Sequence, residues 1–288
     1  MIKLSLYRIK VIANFFFRFQ FVSYQVPDKK TDYKHDSQIP NIVFQTSSKN
    51  RIPRALHKDV TFLRDQNSDL NFILFNDGDM KRWMAENFAS KLIYEAFTNA
   101  TFGVMRSDIF RYCYAYKCGG ISLDLTKGLT SKLSSKFMLP GVGMILSQER
   151  NQVNEISPMY SWFESQGLRP NLLISWCFAV TPNHPGLMSV ISEIEKNYTR
   201  MVDVPYRDVK SAIWEATGPI AFNLGLINFY KSGLSHEVKV SDLDFGEIDW
   251  PKFRSSIYLN SFAKHYTDLE NKFIWVRNKK QYKKSRFA

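Results

Sequence analysis

The chain has few cysteines and no long uninterrupted apolar run. Three cysteines occur among 288 residues, Cys113, Cys118 and Cys177, and no two of them form a C-x-x-C pair. An odd number without such pairs, in a chain too long to need covalent staples, argues against a disulfide framework or a zinc site. We expect buried, inert thiols in a reducing compartment. No stretch reaches about 18 apolar residues without a charge, so a membrane-spanning helix is not expected.

The middle of the chain also lacks any excess of charge, although the chain as a whole is basic. Lys and Arg number 39 against 27 Asp and Glu, which gives a formal charge of +12. Residues 37–249 contain 22 of each sign, so the excess is +4 in residues 1–36 and +8 in residues 250–288. A nucleic-acid-binding domain usually carries basic residues on one face of its fold. This distribution therefore argues against nucleic acid as a partner.

The N-terminal segment mixes basic residues with aromatic and aliphatic ones. No acid precedes Asp28, and the basic residues before it are Lys3, Arg8, Lys10 and Arg18. This composition is typical of an amphipathic helix at a membrane interface. Two alternatives stay open, a first helix packed on the domain and an uncleaved signal or anchor. A cleaved signal peptide is disfavoured because Arg18 interrupts the apolar run and no small-x-small site follows.

The C-terminal tail is basic as well. It contains no acid and six basic residues, Arg277, Lys279, Lys280, Lys283, Lys284 and Arg286. Such a tail is either simply solvated or adds affinity for anionic lipid. We divide the chain into a basic amphipathic helix (1–26), a polar linker (27–38), one globular domain (39–276) and the tail (277–288). An anionic membrane surface is the partner that both ends predict.

Strand and helix patterns alternate through the globular domain. Short apolar runs predict strands over 39–45, 71–75, 121–125, 141–146 and 172–180. Helical spacing of apolar residues predicts helices after Pro53 and over 79–98, 102–118, 186–198 and 218–230. The third of these helices ends at Gly119-Gly120, where glycine adopts positive φ at no steric cost. The alternation predicts an α/β fold with a mostly parallel central sheet flanked by helices.

The densest group of chemically capable residues lies near the middle of this domain. Asp108 and Arg111 are three residues apart and share one face of a predicted helix. Asp124 follows at the end of a predicted strand, and ligands bind parallel sheets at the carboxyl ends of their strands. An ordinary ion pair is one interpretation of Asp108 and Arg111. The alternative is a crevice in which carboxylates meet hydroxyls and a metal while the guanidinium meets a phosphate.

At these residues the chain resembles glycosyltransferases with the DXD signature, especially family 32. Four matching segments lie in the first half of the domain: I-P-x-I-x-x-Q at 39–45, a strand that ends in an acidic turn at 72–79, S-D-x-x-R-Y at 107–112 and G-G-x-x-x-D at 119–124. Three more follow in the same order as in the family: N-H-P at 183–185, T-G-P at 217–219 and the late His265. The resemblance covers roughly residues 39–275. It implies a GT-A-like fold, a nucleotide-sugar donor, a glycan or glycolipid acceptor and retention of the anomeric configuration, as in surface polysaccharide or lipooligosaccharide synthesis.

The resemblance also implies roles for individual residues. It places Gln45, Asp108, Arg111 and Asp124 at the nucleotide-sugar site and His265 with Asp124 at the metal or diphosphate. From the residues themselves we add Trp176 to the nucleotide-sugar site, Thr126 to the metal site and Lys127 to the catalytic residues, which are then Asp124, Arg111 and Lys127. Trp176 has two interpretations, a residue of the apolar core or part of the lining of the sugar pocket. Thr217 also has two, the cap of a helix begun by Pro219 or part of an acceptor-side loop.

The main departure from the family is at Thr126, where most relatives have the second acid of the DXD motif. A threonine hydroxyl binds Mg²⁺ or Mn²⁺ without contributing charge. Three alternatives follow. In the first, a divalent cation still binds through Asp124, Thr126 and His265. In the second, Lys127 replaces part of the charge of that cation, and in the third the protein is a non-catalytic scaffold. The family's aromatic residue after Gln45 is also missing.

Our leading hypothesis is a retaining hexosyltransferase, cytoplasmic and peripheral on the inner face of a membrane, or in the Golgi if eukaryotic. The competing hypothesis from another class is a basic membrane- or nucleic-acid-binding module in which the two ends carry the function.

Overall fold

A computed structural model describes residues 21–23, 38–48, 51–127, 132–152, 155, 157–165, 167–168, 170–233, 238–240 and 269–277. In chain order its elements are β1 (Phe21–Ser23), β2 (Ile42–Thr46), β3 (Arg51–Pro53), α1 (Arg54–Gln66), β4 (Asn71–Phe75), α2 (Asp77–Phe88), α3 (Leu92–Asn99), α4 (Gly103–Cys118), β5 (Gly120–Leu123), α5 (Leu133–Phe137), β6 (Met144–Leu146), β7 (Gln148–Gln152), α6 (Pro158–Ser165), β8 (Asn171–Leu173), β9 (Cys177–Val180), α7 (Pro185–Met201), β10 (Pro205–Asp208), α8 (Val209–Ala216), α9 (Pro219–Lys231), β11 (Val238–Val240) and β12 (Glu270–Phe273).

The central sheet has six strands in the order β11-β6-β9-β5-β2-β4. Strand β9 runs antiparallel to both of its neighbours, β5 and β6, whereas the other adjacent pairs are parallel. Helices cover both faces of the sheet. Alternate residues of a strand point to opposite faces, so they pack in two separate apolar clusters. Phe44 packs in the cluster that includes α4 and α7, and Val43 packs in the one that includes α1 and α5. The predicted α/β fold with a mostly parallel sheet is confirmed.

Two predicted elements are each divided in the structure. The helix predicted over 79–98 is two helices, α2 and α3, with a turn in which the amide of Lys91 donates to the carbonyl of Phe88. Helix α2 also starts earlier, since the Asn76 side chain caps its first amides. The strand predicted over 172–180 is β8 and β9. These pair with different partners, β8 with β7 and β9 with the central sheet, so the chain leaves one sheet and enters the other at residues 174–176.

The two ends of the chain are described only in part. Phe21–Ser23 form a strand antiparallel to Arg51–Pro53, so a helix extending to residue 26 is wrong at these positions. Phe and Val favour extended backbone, and pairing with β3 satisfies its hydrogen bonds. Residues 1–20 and 278–288, with most of the predicted basic segments, lie outside the described residues, and their membrane binding stays a prediction. No helix within the described ranges is long and apolar enough to cross a bilayer.

Candidate functional site

A glycine pair sets helix α4 directly against strand β5. Gly119 and Gly120 have φ values of 68° and 103°, which L side chains rarely adopt. A Cβ on Gly119 would lie 2.7 Å from the Cδ of Pro182, and one on Gly120 would lie 2.7 Å from the carbonyl oxygen of Ile42. The pair therefore permits a turn with no room for side chains. This turn places the Asp108 face of α4 beside the end of β5, where Asp124 follows.

Asp108 and Arg111 form a buried pair, with only 6% and 8% of each residue exposed. Arg111 Nη1 lies 3.4 Å from Asp108 Oδ1 and donates to the carbonyl oxygen of Ser175 at 2.9 Å. The hydroxyl of Thr217 donates to the other carboxylate oxygen of Asp108 at 3.2 Å. Three distant segments of the chain thus meet at the Asp108–Arg111 pair. The pair is not an exposed helical ion pair, whose contribution to stability is usually small.

The charge state of Asp108 reflects this environment. Burial raises the pKa of Asp108 to about 7, while the Arg111 charge and the Thr217 hydrogen bond act in the opposite direction. The negative charge of Asp124 acts in the same direction as burial and raises the pKa of Asp108 slightly further. At neutral pH Asp108 therefore stands close to its titration point.

Asp124 is held in a tight turn at the end of β5. Its amide donates to the carbonyl oxygen of Trp176 at 2.9 Å. Its Oδ1 accepts hydrogen bonds from the amide of Thr126 at 3.1 Å and from the Thr126 hydroxyl at 3.2 Å. The residue in place of the second acid thus orients the first. Both side chains are only partly buried, so the carboxylate of Asp124 is accessible at the rim of the sheet.

Lys127 and Trp176 form a cation–π contact beside Asp124. The ammonium nitrogen of Lys127 lies 4.4 Å from the centre of the Trp176 ring. Both side chains are partly buried, and Trp176 also packs against the apolar cluster on the α1 side of the sheet. Trp176 therefore packs against the core, and its partly exposed ring contacts Lys127 beside Asp124. Its role in lining a sugar pocket stays a prediction.

The described contacts do not test the roles predicted for Gln45 and His265. Gln45 alternates along β2 with Phe44, whose ring packs on the α4 side of the sheet, so Gln45 points to the opposite face. There it is almost fully buried and accepts a hydrogen bond from Arg64 at 3.2 Å, while Arg64 lies over the Phe72 ring. His265 lies outside the residues that the structure describes, so its metal-binding role stays a prediction.

The side chains present fit a metal only as a partial site. Among the described ranges, no three His, Cys, Asp or Glu side chains are grouped as metal ligands would be. Mg²⁺, however, is commonly held by one or two carboxylates together with substrate phosphates. Asp124 meets that requirement without a preformed cage. The Thr126 hydroxyl already donates its hydrogen to Asp124, so only an oxygen lone pair of this hydroxyl would be left to bind a cation.

Two contacts of the Asp108–Arg111 pair were not predicted from the sequence. The carbonyl of Ser175 was not predicted to bind Arg111. Thr217 was expected either to cap the helix begun by Pro219 or to belong to an acceptor-side loop. The capping position is Gly218, and the Thr217 hydroxyl binds Asp108. No side-chain pattern could have indicated the Ser175 contact, because its acceptor is a backbone carbonyl. In the N-H-P segment, His184 accepts a hydrogen bond from the amide of Gly186 and caps α7, a role that was not predicted.

Comparison with known proteins finds that this chain is similar to sugar transferases. Inositol phosphoceramide mannosyltransferase 2 of Schizosaccharomyces pombe is 26% identical over 196 residues, which are 68% of this chain and 48% of that protein. Inositol phosphoceramide mannosyltransferase 3 of the same organism is 29% identical over 129 residues, 42% of this chain and 35% of that protein. The chain is similar to mannosyltransferases. The predicted resemblance to sugar transferases is thereby confirmed, whereas membership of family 32 stays a prediction.

The extent of these similarities is limited. The chain spans about half or less of the length of the curated relatives it matches. No family model matches it. Among solved structures, the PaToxG glycosyltransferase is similar with a TM-score of 0.46 and 15% identity, over 78% of this chain and 89% of that one.

Proposed function

We propose that this chain is a glycosyltransferase that moves a hexose from a nucleotide-diphosphate sugar to a glycan or glycolipid acceptor. The observation that carries the proposal is the convergence of Asp108, Arg111, Asp124 and Lys127 at the carboxyl end of β5. Similarity to mannosyltransferases supports it independently and makes mannose the first sugar to test. Retention of configuration and a GT-A-like fold are parts of the proposal that depend on the ordered sequence motifs.

The two carboxylates suit different parts of a donor. Ionised carboxylates only accept hydrogen bonds, so Asp108 is suited to the ribose hydroxyls of a nucleotide. Arg111 Nη1 contacts Asp108 and the Ser175 carbonyl, which supports a positioning role for its guanidinium. Asp124, nearer the rim, is suited to the diphosphate end of the donor. A sugar hydroxyl or ring would then lie against the exposed face of Trp176.

Departure of a nucleoside diphosphate requires a positive charge near its phosphates. A divalent cation held by Asp124 and the diphosphate would supply that charge. Lys127 lies three residues from Asp124 in the same turn, and the amide of Lys127 donates to the Asp124 carbonyl at 3.0 Å. Its ammonium group is therefore the second source of positive charge at the leaving group.

A transfer assay with purified protein tests the proposed function. We expect labelled mannose or another hexose to move from its nucleotide-diphosphate donor to a glycan or glycolipid acceptor. The anomeric configuration of the product, measured by NMR, should match that of the donor. A folded protein that neither transfers nor hydrolyses any nucleotide sugar would contradict the proposal and favour the non-catalytic scaffold.

Chelation distinguishes the two sources of charge. We expect EDTA to abolish transfer and Mn²⁺ to restore it. If transfer survives chelation, Lys127→Ala should lower the turnover number by roughly 10²-fold, the usual effect of removing one electrostatic stabiliser. Lys81→Ala, at an exposed position of α2, is the matched control. Full activity of Lys127→Ala in EDTA would contradict both assignments.

A further inference from the structure

Thr217 makes an unusual contact for a buried threonine. The residue is fully buried, and its hydroxyl donates to Asp108 Oδ2 from a position 109 residues further along the chain. Threonine hydroxyls near helix ends commonly bond to a local backbone carbonyl or amide instead. Here the donor is directed at the one buried carboxylate of the candidate site.

The corner that carries Thr217 is rigid. Both the Thr217 and Gly218 amides donate to the carbonyl of Ile213 at 3.1 Å, and a Cβ on Gly218 would lie 2.9 Å from Trp214 Cα. Pro219 then begins α9. The position of the Thr217 hydroxyl is thus fixed by backbone that has little freedom to move.

Hydrogen bonds also connect helix α9, which follows Thr217, to the end of strand β8. Asn223 on α9 donates to the carbonyl of Leu173 at 2.9 Å and accepts from its amide at 2.8 Å. Leu173 ends β8, two residues before the Ser175 carbonyl that binds Arg111. Asn223 therefore connects the two segments that contact the buried pair, the one with Thr217 and the one with Ser175.

The hydroxyl also acts on the charge of Asp108. A hydrogen bond donated to a carboxylate favours its ionised form, and burial opposes that form. The charged or titratable groups that act on Asp108 are Arg111 and Tyr112 on α4 and Asp124 after β5. Among them, only Arg111 favours ionisation, and the neutral Thr217 hydroxyl adds to its effect.

We propose that Thr217 is a positioning residue of the donor site, which favours the ionised form of Asp108 and orients its carboxylate to accept hydrogen bonds from the ribose hydroxyls of the nucleotide. This inference rests on the proposed function. It assigns to Thr217 a part in donor recognition, instead of a helix cap or an acceptor-side loop.

Two variants at this position test the inference. Thr217→Val removes the hydroxyl with little change of shape, and Thr217→Ser keeps the hydroxyl. With the nucleoside diphosphate that binds the wild type, we expect Thr217→Val to raise the dissociation constant and the donor KM by roughly 10- to 100-fold, as for a lost bond to a charged group. The turnover number should change less, and Thr217→Ser should behave like the wild type. Thr199→Val, on the exposed face of α7, is the matched control.

Deoxyribose analogues give a readout that a purely structural role would not change. If Asp108 accepts from a ribose hydroxyl, the wild type should bind the 2′-deoxy or the 3′-deoxy nucleotide more weakly than the ribonucleotide. That discrimination should shrink in Thr217→Val, because the two changes remove the same interaction. The pH midpoint of nucleotide affinity should also move upward in Thr217→Val and stay unchanged in Thr217→Ser.

Each contrary result has a separate meaning. Wild-type affinity and discrimination in folded Thr217→Val would overturn the inference. An equal loss of thermal stability and affinity in the Val and Ser variants would also overturn it, since the role would then be packing alone. A wild type that binds no nucleoside diphosphate would instead refute the proposed function.

Discussion

Asp124→Ala is expected to reduce sugar transfer by roughly 10²- to 10³-fold or more, the range found when a principal electrostatic group of an active site is removed. The fold should survive, because Asp124 lies in a turn after β5 and is only partly buried. Its side chain is engaged by the amide and hydroxyl of Thr126, which water can solvate in the variant. Turnover with a nucleotide-sugar donor and the thermal unfolding temperature are the two measurements.

Asp65→Ala is the control for this variant. Asp65 is an exposed carboxylate on α1, so its removal changes net charge equally without touching the crevice. Its activity should equal that of the wild type. An Asp124→Ala protein with wild-type turnover would show that this carboxylate takes no part in the reaction, and the proposed site would have to be abandoned.

Arg111→Ala is expected to have the largest effect on stability. Removing one partner of a buried ion pair typically costs about 3–5 kcal/mol, because the other charge stays buried without compensation. The loss should depend on pH. Below the unfolded pKa of Asp108, near 3.8, the carboxyl is neutral in both states and needs no partner. Above about pH 7 the wild-type carboxyl is ionised beside Arg111. The variant lacks the charge that lowers this pKa and must keep the carboxyl neutral or bury its charge unpaired, so it loses more stability at pH 8.5 than at pH 5.5.

Urea denaturation of the wild type and variant at both pH values measures this difference. Arg82→Ala is a matched control, since Arg82 also pairs with an aspartate three residues earlier, at 2.6 Å. The Arg82 side chain is 68% exposed, so its loss should cost less than about 1 kcal/mol at either pH. A pH-independent effect of Arg111→Ala would mean that Asp108 does not titrate in this range.

Local patterns were sufficient to predict the frame of the site. The glycine pair after α4 and the apolar run of β5 are contiguous in sequence, and they determine that Asp124 lies at the end of a central strand. The spacing of Asp108 and Arg111 likewise determined that they share a helical face. Each of these predictions depends on residues fewer than about six positions apart, where helix and strand geometry decides the arrangement.

The missing parts of the prediction depend on long-range contacts. Thr217 and Ser175 meet the Asp108–Arg111 pair across 109 and 64 residues, and no local pattern encodes either meeting. Gln45 was predicted correctly to lie near the end of a strand. The face of the sheet to which its side chain points depends on whether Phe44 faces α4. Alternation with the large Phe44 was the available signal for that direction.

Calorimetric titration of the purified wild-type chain with a panel of nucleoside diphosphates, with and without Mn²⁺, tests the central claim most directly. The account predicts that at least one nucleoside diphosphate binds, that Mn²⁺ strengthens its binding, and that Asp124→Ala loses this strengthening. Absence of binding by every nucleoside diphosphate under both conditions, in a folded protein, would contradict it.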